Sequence, residues 1–549
     1  MNGFLQRIFS FSFENPYPQC ILRSGRLVIM KGLTSSIFSF EKLRNEGYLY
    51  VDKTEFIWNL INPAGESYFL SRPRRFGKSL TISTLKAIFE GKKELFKGLA
   101  IYDKPYDWKP YPVIHLDMAG CDVHTENDLR DYLVRMMERL AKHHHVNVNI
   151  QRNLLSSSFS DLIEEIAKPA PAVILLDEYD KPILENITNP DIATIRDTLA
   201  DFYSAIKKEM EYERFVFITG VTKFCHVSLF SKLNNLTDIT MDARYAAMLG
   251  YTQEEFETYF ADRIDQISKQ LNMPRERLLP KIKEWYDGYR FEENAPTVYN
   301  PVSLAKFFES GAKFNNYWFS TGTPSFLIDL VRKNRFDFDN ILSKPVSSMA
   351  FNAFEIDKLD PLTLLLQTGY LTIKSMVKKF NMPWYWLDFP NREVSFSFNT
   401  ALLNAYSRKS DNFVVAFCEE LADAMDQGNV KQLRKVMESF FAGISYEIHH
   451  KNESNFQNIF FAMFRLLGYY ISAESHTNDG RIDAVAETEK YVFIFEFKLD
   501  DDDTALSQIK DKEYYKKYEL SRKKIFLNGV TFSTEKGQII DWKTEEAGL

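Results

Sequence analysis

Short apolar runs alternate with amphipathic stretches through the first half of this chain. Several of these runs have the length of buried strands and are followed by polar residues, namely residues 68–70, 113–117, 172–176 and 215–218. Between them, apolar positions three and four residues apart predict helices, as in residues 80–89. Continuous apolar strands that alternate with helices are typical of a parallel sheet with helices on both faces. We therefore predict an α/β domain at residues 33–250.

The pattern becomes largely helical after residue 251, and we assign residues 251–444 to a helical middle region. Amphipathic spacing predicts helices at residues 253–270, 274–286, 301–308 and 362–368. A strand is expected at residues 370–373, and a hairpin is expected to pair residues 385–388 with 394–398. A helix followed by a hairpin suggests a winged-helix element. A packing hairpin that makes no nucleic-acid contact is an equal alternative, because the segment is not notably basic.

The last part of the chain, residues 445–549, predicts a second α/β domain. Its pattern gives an apolar helix at 455–467, strands at 481–486, 491–497 and 524–531, and a helix at 504–518. Residues 1–32 lack a periodic pattern. We expect them to be an N-terminal extension that is poorly ordered or lies upstream of the true start.

Composition and charge narrow the function classes. The 549 residues carry a net charge of −7, so no global positive field favours nucleic acid as a partner, although a local groove or a bound metal is enough. The four cysteines are far apart and lack metal or redox spacing, which favours a reduced, cytoplasmic protein. No apolar run is long enough to span a membrane, so no membrane partner is expected.

The most informative motif follows the first predicted strand. Residues 71–79 read Ser-Arg-Pro-Arg-Arg-Phe-Gly-Lys-Ser and lead into a helix, as a phosphate-binding loop does. The loop carries Arg72 where a full P-loop has glycine, which should alter how the backbone wraps the phosphates. Lys78 would reach the outer phosphates and Ser79 would bind magnesium. The candidate nucleotide-binding residues of the loop are Arg74, Arg75, Phe76, Gly77, Lys78 and Ser79.

Two later strands carry the expected partners of this loop. Residues 173–178 end in Asp177 and Glu178, of which the first would orient magnesium and the second would polarise the attacking water. Thr219, at the tip of the next strand, would sense the γ-phosphate. The alternatives are a solvated acidic turn and an ordinary strand end. Together with the loop, these residues predict an ATP site that uses Mg²⁺.

Paired carboxylates mark the C-terminal region. Asp483 begins one predicted strand, and Glu496 and Lys498 share a face of the next. Two carboxylates can hold magnesium, and a lysine can position the attacking water, which suits hydrolysis of a phosphodiester. Glu453 is a further candidate ligand, and Gln508 could orient the lysine or touch the substrate backbone. The alternative is an exposed strand face with an ion pair.

These residues resemble a known family. Residues 33–250 resemble the AAA-ATPase-like proteins of bacteria and archaea in the motifs at 50–54, 72–79, 176–180 and 234–238, and the likeness continues at 299–301 and 317–324. Residues 445–545 resemble the PD-(D/E)XK nuclease superfamily, through residues 480–483, 496–498 and 508–509. The resemblance implies an additional-strand (ASCE) P-loop sheet, in which the strand at 113–117 falls between the loop and the acidic strand along the chain. It also implies that the Arg-Pro-Arg-Arg-Phe-Gly-Lys-Ser loop is the normal family form.

The sequence leaves the following hypotheses open. The first is an ATP-regulated, Mg²⁺-dependent nuclease that acts on DNA or RNA, compatible with defence or mobile-element control. The second is a non-catalytic ATP switch whose nuclease-like domain only binds nucleic acid or a protein. A third, an ATPase that acts on polypeptides, has less support. All are compatible with a homo-oligomer.

Overall fold

A computed structural model provides the structure of the chain. It describes residues 19–23, 26–62, 66–223, 236–318, 327–328, 330–331, 338–342, 344–351, 361–407, 409–442, 453–468, 472–478, 481–500, 505–511, 514–533, 535–536 and 538–547. For residues 19–29, 339–340, 349–350, 453–457, 472–483, 499, 514 and 517 it describes the backbone alone. Parts of the family motifs at 234–235, 319–324 and 479–480 lie outside the described residues, as do residues 1–18.

The chain divides into two compact units. The first comprises residues 1–318 and 349–374, and the second comprises 319–348 and 375–549. Within the first unit, Gln19–Arg23 (β1) and Arg26–Met30 (β2) pair as antiparallel strands, which the sequence analysis did not predict in its N-terminal extension.

A five-stranded parallel sheet forms the centre of the first unit. Its strands lie in the order β4-β5-β6-β3-β7. All adjacent pairs are parallel. The strands are Ser67–Ser71 (β3), Val113–Asp117 (β4), Ala172–Asp177 (β5), Glu213–Gly220 (β6) and Thr237–Asp238 (β7). The apolar runs confirm their predicted positions, because continuous burial selects continuous apolar sequence.

The strand order places the candidate residues at one edge of the sheet. The strand that separates β3 from the acidic strand β5 is β6, whereas β4 lies at the outer edge beside β5. The position of the strand at 113–117 between them along the chain therefore does not carry over into the sheet. The carboxyl ends of β3, β5 and β6 meet where parallel α/β proteins bind ligands.

The helices of the first unit begin and end at defined caps. For example, Thr125 and Asp128 form a reciprocal capping box before α4, and Thr252 and Glu255 form one before α8. The helices, numbered in chain order, are Phe40–Asn45 (α1), Thr54–Ile61 (α2), Lys78–Phe89 (α3), Glu126–His143 (α4), Leu155–Ala167 (α5), Lys181–Glu185 (α6), Ile192–Lys208 (α7), Gln253–Tyr259 (α8), Ala261–Gln270 (α9), Arg275–Tyr286 (α10), Pro301–Glu309 (α11) and Pro361–Gln367 (α13).

The helix predicted at 253–270 is wrong as a single element, because it breaks at Phe260. That residue has φ −108° and ψ 10°, which ends α8 before α9 begins. Phe260 is 1% exposed and its ring stacks on Phe308 at 5.4 Å. The break lets both helices turn apolar residues into one cluster, which a straight helix could not do.

A hairpin opens the second unit, but its second strand differs from the prediction. Thr372–Lys379 (β9), which begins in the first unit, is followed by Met382–Asp388 (β10), and Val346–Ser347 (β8) pairs with β10. Residues 394–398 belong instead to the helix Arg392–Ser407 (α14). The Asn391 side chain accepts the Val394 backbone N–H at 3.0 Å and starts this helix. Val394 and Phe398 are both buried, and their spacing of four fits a helix better than a strand.

The C-terminal part of the second unit is a mixed sheet with helices. Five strands lie in the order β11-β12-β13-β14-β15, and only the pair β13–β14 is parallel. They are Ser472–Asn478 (β11), Arg481–Glu487 (β12), Tyr491–Leu499 (β13), Lys524–Ser533 (β14) and Gln538–Glu546 (β15). The first and last of these were not predicted. The remaining helices of this unit are Phe338–Leu342 (α12), Asp411–Asp426 (α15), Val430–Ala442 (α16), Glu453–Leu467 (α17) and Ala505–Asp511 (α18).

The helix predicted at 504–518 is also divided. After α18 the chain forms a 3₁₀ helix at Tyr514–Ser521. Leu506 and Ile509 of α18 are buried against β13 and β14, and this burial stabilises the first part. Short 3₁₀ helices also occur at Lys93–Phe96, Ala100–Asp103, Met210–Tyr212 and Ser348–Phe351. Over the described part of the chain, no helix has the length and apolar character needed to cross a membrane.

Candidate functional site

The loop between β3 and α3 has the backbone of an anion-binding turn. Arg75 and Gly77 both have left-handed backbones, with φ of 68° and 96°. Gly77 precedes α3, which begins at Lys78. A left-handed residue at this point turns the chain sharply into the helix, so that the first N–H groups of α3 face the loop.

Lys78 lies buried beneath this loop. Its ammonium group donates to the backbone oxygens of Arg72 at 2.9 Å and Pro73 at 3.0 Å. Burial lowers the pKa of Lys78, and the nearby carboxylates of Glu178 and Asp177 act in the opposite direction. The side chain is therefore held at the loop by short contacts and sits in the field of two acids.

Arg72 has a structural position rather than one facing a phosphate. The side chain is 1% exposed, and its guanidinium donates to the backbone oxygens of Ser71, Thr240 and Tyr245. The same group lies over the Phe291 ring at 4.1 Å from the centroid. Burial lowers the pKa of Arg72 to about 9, so the group stays charged at neutral pH. The arginine that replaces glycine thus ties the start of the loop to the segment after β7.

The other loop residues differ in exposure. Arg74 is exposed and Arg75 is half-buried, with a pKa lowered by burial and by Arg74. Phe76 is buried and meets the rings of Tyr289 and Phe291 edge-on at 4.7 and 5.4 Å. Ser79 is half-buried in the first turn of α3. The loop is braced further by Trp318, whose indole N–H donates to the Arg74 oxygen at 3.2 Å.

The ends of β5 and β6 bring Asp177 and Thr219 together. The Thr219 hydroxyl donates to Asp177 Oδ1 at 2.5 Å, and both residues are buried. The Glu178 N–H donates to the same oxygen at 3.1 Å. Glu178 itself has a left-handed backbone with φ 52°. Burial raises the pKa of Glu178, against the lowering effect of Lys78. Thr219, predicted to sense a phosphate, is bonded to the acid in this structure.

Sequence reasoning missed the residue that fastens this edge of the sheet. Asp180 is fully buried, and its carboxylate accepts the backbone N–H of Val221 at 3.1 Å and the N–H and hydroxyl of Thr222 at 2.7 Å each. Burial raises the pKa of Asp180, which these hydrogen bonds oppose. A Cβ on Gly220 would lie 2.7 Å from Asp180 Oδ1, so glycine is required there. The Leu-Asp-Glu-Tyr-Asp motif held the only sequence signal for this role.

The C-terminal candidates meet on two neighbouring strands. The antiparallel register of β12 and β13 places Asp483 directly opposite Glu496. Opposed residues of such a pair share one face of the sheet. Glu496 is fully buried, and its Oε1 lies 3.9 Å from the Lys498 ammonium, whose side chain is 13% exposed. The side chain of Asp483 is outside the described part of the structure.

A close helix contact covers the Glu496 face. Gly529 of β14 pairs with Glu496, and a Cβ on Gly529 would lie 2.5 Å from the Leu506 backbone nitrogen. Glycine therefore lets α18 approach the sheet beside the buried carboxylate, and sequence reasoning did not single it out. Gln508 lies half-buried on the same helix. Glu453 is the first residue of α17, and its side chain is not described.

The donor atoms at both places suit a hard cation. Asp177 and Glu496 are buried carboxylates beside a lysine, and buried carboxylates favour oxygen-loving ions such as Mg²⁺. Among the side chains that the structure describes, no group of three or more metal-ligating residues comes together. Neither Asp483 nor Glu453 belongs to that set of side chains.

Comparison with known families agrees with both sites. A family model described as a predicted AAA-ATPase matches residues 35–230, and one for the PD-(D/E)XK nuclease superfamily matches residues 451–542. An uncharacterised protein in the vnfD 5′ region of Azotobacter chroococcum mcd 1 is 36% identical over 532 residues, covering 94% of this chain and 99% of that protein. The chain belongs to the AAA-ATPase-like proteins with a C-terminal PD-(D/E)XK nuclease domain.

Membership of this AAA-ATPase-like family confirms the resemblance inferred from the motifs. The first model spans the loop, Asp177, Glu178 and Thr219, and the second spans Asp483, Glu496, Lys498 and Gln508. The two domains support ATPase and nuclease-like roles in one chain. The relative is uncharacterised, so its name adds no activity or substrate.

Proposed function

We propose that this protein is an ATP-regulated, Mg²⁺-dependent nuclease that hydrolyses phosphodiester bonds of DNA or RNA. The observation that carries the proposal is the register of β12 and β13, which sets Asp483 opposite Glu496 with Lys498 two residues on. A nucleotide site in the same chain supplies the regulatory part. We further propose domain limits at residues 33–250, 251–444 and 445–549.

In the nucleotide site, each residue has a role that its contacts support. Lys78 would bind the outer phosphates from beneath the loop, and Arg74, Arg75 and the backbone of Phe76 and Gly77 would surround them. Asp177 and Ser79 would hold Mg²⁺, which supplies charge neutralisation when bound. Glu178 would take a proton from the attacking water. Thr219 would orient Asp177 through the 2.5 Å hydrogen bond.

In the nuclease site, Asp483 and Glu496 would bind Mg²⁺, with Glu453 as a further ligand. The bound ion would polarise the phosphate. Lys498, whose ammonium is 3.9 Å from Glu496, would hold the attacking water and neutralise charge on the phosphate oxygens. Gln508 on α18 would orient the lysine or touch the substrate backbone.

A cleavage assay tests the proposal. Full-length protein with Mg²⁺ or Mn²⁺ is incubated with labelled DNA and with labelled RNA, beside the Asp483→Ala and Lys498→Ala variants. The proposal expects cleavage by the wild type and a loss of at least about a hundredfold in each variant. If neither substrate is cut, the protein is a non-catalytic switch. If the variants cut like the wild type, the assigned site is wrong.

A further inference from the structure

A basic groove lies at the outer edge of the ATPase sheet, away from the nucleotide loop. The edge strand β4, helix α4 and the start of helix α3's last turn enclose a space of about 310 Å³. Its charged and ionisable lining consists mainly of Lys86, His115, Asp117, Arg135, Arg139 and His143. None of these residues has a part in the proposed ATP or nuclease chemistry.

The charge of the groove is strongly one-sided. Arg135, Arg139 and His143 are exposed, and Lys86 makes only a loose pair with Glu90 at 3.8 Å. No ion pair of Arg135 or Arg139 occurs within the described residues. Asp117 is the one carboxylate among the described side chains that line the space. Surface arginines without partners keep their full charge for a ligand that enters from solvent.

The cations form a row. Arg135, Arg139 and His143 are four residues apart on α4, so they lie above one another on one face of the helix. The row extends for about 12 Å, given the helical rise of about 1.5 Å per residue. One nucleic-acid strand at about 3.4 Å per nucleotide would place three or four phosphates along that length.

Neutral groups complete the wall beside the row. Burial lowers the pKa of His115, and its Nε2 has no hydrogen-bond partner among the described residues. The Tyr132 hydroxyl donates to the Asp117 backbone oxygen at 3.0 Å and fixes α4 against the edge strand. The groove is therefore a shaped space with fixed walls and is more than a charged helix face.

We propose that this groove binds the phosphodiester backbone of a single nucleic-acid strand, with Arg135 and Arg139 as the phosphate contacts. The inference rests on the proposed function, because it gives the ATPase unit a hold on the substrate of the nuclease. Arginine forks bind phosphate oxygens in pairs, and such contacts are independent of sequence. DNA and RNA share this backbone, so both are expected to bind.

Binding is measured on full-length protein that carries Lys498→Ala, in buffer without divalent ions, so that cleavage cannot interfere. The probes are fluorescein-labelled single-stranded DNA and RNA oligonucleotides and a labelled polyglutamate peptide, read by anisotropy. The groove variant adds Arg135→Gln and Arg139→Gln. The matched control adds Arg277→Gln and Lys281→Gln, two exposed basic residues with the same spacing on α10. Thermal melting confirms that each variant is folded.

The groove variant is expected to bind both oligonucleotides about tenfold more weakly than the control. Its slope of log K against log salt is expected to fall by about one to two, since each lost phosphate contact removes about 0.9. Equal binding by the groove and control variants overturns the inference and leaves the proposed nuclease intact. Loss of peptide binding with unchanged oligonucleotide binding also overturns it, in favour of an acidic protein partner. If the parent protein binds neither oligonucleotide, both the inference and the proposed substrate fail.

Discussion

Thr219 donates its hydroxyl proton to Asp177 across 2.5 Å, and this bond joins the tips of two neighbouring strands of the ATPase sheet. The Asp177 carboxylate also accepts the Glu178 N–H, so one oxygen is fixed by two donors. Hydrogen bonds of this kind set the direction in which a carboxylate can meet a metal ion. The relationship links a residue that sequence reasoning placed at the γ-phosphate to the magnesium ligand instead.

Replacing Thr219 with valine removes the hydroxyl and keeps the shape of the side chain. ATP hydrolysis is expected to slow by about ten- to a hundredfold, because an unsupported Asp177 no longer holds Mg²⁺ in one position. ATP binding should change little. Steady-state phosphate release and nucleotide titration measure the two effects. Thr219→Ser, which retains the donor, is the control, and an unchanged hydrolysis rate in Thr219→Val would refute this role.

Glu178 should set the acidic limb of the pH–rate profile. Burial raises its pKa, so the deprotonated base is lost at a higher pH than for an exposed glutamate. Hydrolysis is therefore expected to fall as the pH drops, beginning above the ordinary range of a glutamate. Rates measured from pH 5 to 9 in the wild type and in Glu178→Gln test this. The variant should still bind ATP, but hydrolyse it at least about a hundredfold more slowly with no acidic limb.

Arg72 should matter for stability more than for phosphate binding. Arg72→Gln would leave several buried backbone oxygens without their donor, at a cost of about 2–4 kcal/mol in the free energy of unfolding. Urea unfolding followed by tryptophan fluorescence gives the shift of the first transition. Arg74→Gln, at the exposed neighbour, is the control and should change stability by no more than about 0.5 kcal/mol. Equal effects of the two substitutions would contradict the structural role.

The contrast between these two arginines shows what the sequence could and could not predict. The strands at 113–117 and 172–176 were predictable because burial on both faces requires an unbroken apolar run. The role of Arg72 was not, because its partners Thr240 and Tyr245 are about 170 residues away along the chain. A local pattern cannot report which distant carbonyl groups a side chain will reach.

A similar limit explains the errors in the middle of the chain. Residues 394–398 contain apolar residues at alternate positions, which fits a strand, while Val394 and Phe398 also fit a helix. The Asn391 cap and the packing of α14 decide between these readings. At the nuclease site, the pairing of Asp483 with Glu496 was predictable from the two strands, whereas the need for glycine at 529 arises only from the approach of α18.

Glu213 should make stability depend on pH. Burial and the charge of Glu209 raise the pKa of Glu213 to about 8, above the ordinary value of 4.5 for an unfolded chain. Between these values the folded state holds a proton that the unfolded state lacks, so stability falls as the pH rises from 4.5 to 8. Glu213→Gln cannot ionise, and should raise the melting temperature at pH 8.5 relative to the wild type but hardly at pH 5. An equal shift at both pH values would contradict the raised pKa.

The central claim is that ATP bound at the Lys78 loop controls phosphodiester cleavage at Asp483, Glu496 and Lys498. The most direct measurement is the initial rate of cleavage of labelled DNA and RNA, with Mg²⁺, with and without ATP. It compares the wild type with Lys78→Ala and Lys498→Ala. The account predicts cleavage that changes severalfold with ATP in the wild type, cleavage that ignores ATP in Lys78→Ala, and no cleavage in Lys498→Ala. Cleavage by Lys78→Ala with an undiminished response to ATP would contradict it.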